Sequence, residues 1–119
     1  MKPLSIGLLP LYLELYDRRL PTFRPAMDAF HQRIAEAFQA RGVEVHTVPA
    51  CRLKPEFAAA IRGFEKAGVE AIVTLHLAYS PSLESSAALA ATPLPVVVLD
   101  TTPDVHFGPT QSPDAIMYN

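Results

Sequence analysis

The sequence predicts an α/β domain: a doubly wound parallel sheet of four strands, ordered 2-1-3-4, between two layers of helices. Two observations carry that prediction. Short apolar runs (Ser5–Leu9, Ile72–Leu75, Val96–Leu99) alternate with segments whose apolar residues recur at helical spacing, the pattern of strands buried on both faces and linked by helices. One junction also occurs twice: Arg41-Gly42-Val43-Glu44-Val45 and Ala67-Gly68-Val69-Glu70-Ala71 each end a helix at glycine and open a strand after Val-Glu. Right-handed crossovers between such units give the 2-1-3-4 order in its simplest form.

Taken in order, Ser5–Leu9 is the first strand, and Pro10 is expected to stop it. From Leu11 to Arg24 the chain mixes Tyr12, Glu14, Tyr16, Asp17 and Phe23. One or two helical turns fit there, but Pro21 and Pro25 forbid a single long helix. Its aromatic content argues for packing. Pro25 suits the first turn of a helix reaching Arg41, with Met27, Phe30, Ile34 and Phe38 as its apolar stripe. Gly42 supplies the left-handed stop. Val43–Val48 is a second strand, alternating enough to lie at a sheet edge. Leu53-Lys54-Pro55-Glu56 opens a helix that buries Phe57, Ile61 and Phe64 and ends at Gly68. A third strand runs to His76. Ser80 as cap and Pro81 at the first position then start a helix through Leu83, Ala87, Leu89 and Ala90. After Pro93 and Pro95 comes Val96–Leu99, expected as a fourth buried strand. The chain thus reads as one α/β domain over 1–119, three layers of the Rossmann or flavodoxin-like kind. Residues 104–119 form a tail in which no fifth strand can be placed.

Composition excludes several function classes. The 119 residues carry a formal charge of -2, which offers no basic face for nucleic acid or an anionic membrane. No run approaches the roughly 20 apolar residues needed to span a bilayer, and the N-terminal apolar run is too short for a secretory signal. Cys51 is the lone cysteine and the four histidines lack metal-ligand spacing. The expected setting is soluble and cytoplasmic. Gly7 stands alone inside the first strand, so no Gly-x-Gly-x-x-Gly and no P-loop follows it. No nucleotide cofactor is expected.

Ligands of open α/β sheets bind outside the carboxyl ends of the strands, where the strand order reverses. That point lies between strands 1 and 3, and the polar strand ends converge on it: Tyr12 after strand 1, His76, Tyr79 and Ser80 after strand 3, Asp100 and Thr101 after strand 4. Hydroxyls, an imidazole and a carboxylate suit a neutral polyol or a small anion. Structural roles compete at each position. His76 can fix the turn, Tyr79 and Tyr12 can pack, Ser80 can cap its helix, and Asp100 can cap or pair with an arginine. No catalytic residue is identified. A metal site would need three converging ligands, for which only His76, Asp100 and His106 offer themselves.

Gly7-Leu8-Leu9-Pro10-Leu11-Tyr12-Leu13-Glu14-Leu15-Tyr16-Asp17, Thr74-Leu75-His76-Leu77-Ala78-Tyr79-Ser80-Pro81-Ser82-Leu83-Glu84 and Val97-Val98-Leu99-Asp100-Thr101-Thr102-Pro103 resemble the N-terminal domain of the L-fucose isomerase and L-arabinose isomerase-like sugar isomerases. The His-x-x-Tyr-Ser-Pro turn is similar to the His-Thr-Phe-Ser-Pro turn of arabinose isomerases, and the resemblance covers essentially the whole chain. It implies an N-terminal piece of a longer metal-dependent aldose–ketose isomerase, oligomeric, acting through an enediol with Mn²⁺ or a similar ion. The carboxylates and histidine that hold the metal would lie on later domains. This chain would then hold no cofactor itself, show no activity alone, and contribute sugar-contacting and subunit-contacting loops. The competing expectation is a sugar-binding or sensor module of the periplasmic-binding-like kind, without catalysis. A purely structural assembly domain is the third.

Overall fold

The structure, a computed structural model, describes residues 2–103. The expected tail over 104–119, His106 included, lies outside the described residues. Elements follow in the order β1 (Ser5–Leu11), α1 (Glu14–Arg19), a single 3-10 turn (Pro21–Phe23), α2 (Arg24–Ala40), β2 (Glu44–Thr47), α3 (Lys54–Ala67), β3 (Ala71–His76), α4 (Ser82–Ala91) and β4 (Val96–Leu99). All strand pairs are parallel, and the sheet order is β2-β1-β3-β4. The doubly wound prediction holds.

Each face of the sheet has its own core. On one side, Ile6, Leu8, Val73 and Leu75 pack with Met27, Phe30 and Ala35 of α2. On the other, Leu9, Leu11 and Ile72 meet Phe57, Ile61 and Phe64 of α3, with Ala88 and Leu89 of α4 against them. Alternate residues of β1 thus serve opposite cores, so the strand reads as continuously apolar, and all seven of its residues are buried. Gly42 and Gly68 take φ of 82° and 74°, the left-handed stops predicted for α2 and α3.

Three expectations are corrected. Pro10 does not stop β1, which runs on to Leu11 opposite His76. The β1–β2 ladder ends at Leu8↔Thr47, so beyond that point there is no β2 partner to miss the proline's absent N–H. The Pro10 carbonyl still accepts from the Cys51 N–H at 2.9 Å. Second, Ser80 and Pro81 do not cap and open α4: the helix begins at Ser82, Pro81 takes the cap position, and no side chain caps it. Its buried side is Ser85 with Ala88 and Leu89 against the α3 core, while Leu83 points to solvent. Third, β4 is not a buried strand. Val97 and Val98 are 53% and 65% exposed because β4 closes the sheet at an edge, paired with β3 alone among the described strands. A shallow apolar groove of about 230 Å³ lies between Phe38 of α2 and Leu99.

Candidate functional site at the carboxyl ends of the strands

The turn after β3 is set by the two residues it buries. Leu77 and Ala78 are buried in the α2-side core, and the Leu77 N–H donates to the Leu11 carbonyl at 3.0 Å. Pinning these two residues inward leaves His76 and Tyr79 facing solvent, with Tyr79 60% exposed. The β3–β4 register pairs Leu75 with Leu99. One residue further along, Asp100 comes beside His76. Partial desolvation lowers the His76 pKa from its ordinary 6.5, and the Asp100 carboxylate opposes that shift. The imidazole is therefore neutral at pH 7, with one donor and one acceptor nitrogen for hydroxyl groups. Thr101 follows, half-buried. The Ser80 hydroxyl is buried and has no hydrogen-bond partner among the described residues.

His76, Tyr79, Ser80, Asp100 and Thr101 thus lie on consecutive loops of adjacent strands. Tyr12 does not join them at the surface. It is fully buried in the α2-side core, with the Tyr16 ring edge-on at 6.1 Å between centroids and the Arg24 guanidinium 5.3 Å from its ring. Its hydroxyl is buried without a hydrogen-bond partner among the described residues. Burial, with the Asp17 carboxylate behind it, raises the phenol's pKa above 10.

A second polar cluster escaped the sequence reading. Asp17 Oδ2 accepts from Arg24 Nη1 at 2.7 Å and from Arg52 Nη1 at 3.1 Å. Arg24 also holds Asp28 at 3.0 Å, and Arg52 holds Glu56 at 2.9 Å. Burial works against ionising Glu56, yet the Arg52 guanidinium and backbone N–H hold its carboxyl below the usual range. The Arg24/Asp28 and Arg52/Glu56 spacings are visible i,i+4 pairs. The bridge through Asp17 spans 35 residues between Asp17 and Arg52 and leaves no local signal. Beside this cluster, Cys51 is buried and its thiol is pushed up to about 11 by desolvation, so it is no nucleophile at neutral pH.

Two histidines set an expected pH dependence. Partial desolvation depresses His31 and, although its side chain faces solvent, His76. A histidine whose folded pKa lies below its unfolded value contributes stability in full above about pH 6.5. That contribution is lost as pH falls from there through the folded pKa. Urea unfolding at pH 7.5 and 5.5 should therefore show lower stability at 5.5, and the drop should shrink in His31→Gln and His76→Gln. An unchanged or higher stability at pH 5.5 contradicts this assignment.

No known protein family and no curated protein matches the chain. Among the described residues, no helix is long and apolar enough to cross a membrane, and no three His, Cys, Asp or Glu residues are grouped to hold a metal ion.

Proposed function

We propose that this domain forms the sugar-facing wall of a metal-dependent aldose–ketose isomerase of the L-fucose and L-arabinose isomerase kind, a cytoplasmic oligomer whose metal and proton-transfer groups lie on other domains. The observation that carries the reading is the turn after β3. It turns a neutral imidazole and a phenol outward together, beside the carboxylate and hydroxyl of Asp100 and Thr101 at the end of β4. Such a row of mixed donors and acceptors at parallel strand ends suits a polyol, whose hydroxyls each need both. The resemblance in the β1, β3 and β4 segments supplies the reaction class.

The Mn²⁺ or similar ion implied by that class does not fit the described residues. His76 and Asp100 provide two donors where a resident ion wants three or more protein ligands, so no step of the isomerisation is assigned to this chain. Its own work is to bind and orient the sugar. The 119-residue chain, given Mn²⁺ and L-arabinose or L-fucose, should form no ketose by colorimetric assay. Metal-dependent turnover by this chain overturns the division of labour.

A further inference from the structure

On the other flank of β1, beyond the end of β2, a cleft of about 570 Å³ opens between the Pro49–Arg52 loop and α3, with Arg24, Arg52 and Glu56 in its lining. Two guanidiniums of that lining, from distant segments, share one carboxylate oxygen of Asp17, which stands outside the lining. Convergence of two planar forks on one anionic oxygen is how proteins hold phosphate and carboxylate ligands. Asp17 holds those donors from the cleft's margin. It sits on α1, a six-residue helix with no buried residue.

We propose that this cleft binds the oxyanion group of a small phosphorylated or carboxylated ligand between Arg24 and Arg52, with Asp17 as a built-in competitor for the same donors. Each guanidinium carries five N–H groups in a fixed fork, more than the carboxylates on it occupy. The volume is that of an ordinary small-molecule site, and Val48, Ala59 and Ala60 give the rest of the ligand an apolar wall. Two arginines stand against Asp17, Asp28 and Glu56, which leaves the cluster one charge negative. The native chain therefore binds an oxyanion weakly, and removing the Asp17 charge strengthens binding. The Cys51 thiol stays protonated and adds no charge. This site stands independently of the sugar-facing rim.

The test is an amide NMR titration of the whole chain with sodium phosphate, and separately with sodium acetate, at ionic strength held constant with sodium chloride. Saturable shifts are expected at Ala50, Cys51, Arg52, Glu56 and Arg24. Asp17→Asn, which keeps the side chain's shape, should tighten binding about tenfold by relieving one nearby like charge. Arg52→Lys, which keeps the charge and loses the fork, should weaken it. The ratio of phosphate to acetate affinity identifies which oxyanion the cleft prefers. In parallel, phosphate should raise the melting temperature of the native chain more than that of Arg52→Lys, since generic salt stabilisation acts on both alike. Linear, unsaturable shifts, or equal melting responses of the two chains, overturn the proposal. So does an Asp17→Asn chain that binds no tighter. If that variant does not fold, the native titration and Arg52→Lys decide alone.

Discussion

Replacing Gly7 with alanine is expected to destabilise the fold by about 2–3 kcal/mol, the upper range for forcing a methyl into a packed core. Gly7 lies in β1, paired with β2 on one side and β3 on the other. A Cβ built there would stand 2.5 Å from Phe64 Cγ and 2.6 Å from Cδ2. Those atoms belong to the base and side of a ring that is 2% exposed in the α3-side core, not to the free end of a flexible chain. Relief requires α3 to lift from the sheet or Phe64 to leave its rotamer. The reverse experiment sharpens the argument. Phe64→Ala alone should cost about 3–5 kcal/mol. In that background Gly7→Ala should become neutral or favourable, because the new methyl enters vacated space and alanine loses less backbone entropy than glycine. Urea unfolding of the four chains measures this non-additivity directly. Additive costs would show that Gly7 and Phe64 do not share the contact.

Tyr12→Ala should cost a similar amount, about 3–5 kcal/mol, while Tyr12→Phe should be neutral or stabilising. The ring is fully buried, packed edge-on to Tyr16 and under the Arg24 guanidinium. Deleting it hollows the core and removes the surface on which α1 and the start of α2 are laid. The hydroxyl is different, since it is buried with no hydrogen-bond partner among the described residues. Removing a polar atom in that state recovers desolvation cost and opens only a small void. The pair of substitutions also separates two roles for Tyr12. If it anchors the core, Tyr12→Phe leaves ligand binding at the neighbouring loops unchanged. If its hydroxyl meets the ligand, Tyr12→Phe loses affinity without losing stability.

What the sequence made legible was whatever depends on local chemistry. The stripes Met27/Phe30 and Phe57/Ile61/Phe64 mark their helices because a helix must bury one face, and the two glycines mark where each helix turns into a strand. The sheet order then follows from crossover handedness. Features set by distant neighbours were not legible. Pro10 continues a strand only because β2 has already ended beside it. Val96–Val98 look like core but stand exposed, because burying a strand depends on what packs over it, and β4 lies at the edge of the sheet. The rim shows the same division. The polar residues after β3 and β4 announced themselves at strand ends, whereas the withdrawal of Tyr12 into the core depends on Tyr16 and Arg24 closing over it. Asp17 reads as one more surface carboxylate until Arg24 and Arg52 are seen on either side of it.

The central claim is that the loops after β3 and β4 face a sugar. Amide NMR of the 119-residue chain, titrated with L-arabinose and with L-fucose, tests it most directly. The account predicts saturable shifts confined to residues 76–80 and 100–102, abolished by His76→Ala with no change elsewhere in the spectrum of the folded domain. Shifts absent from these loops at high sugar concentration, or unchanged by His76→Ala, would contradict it.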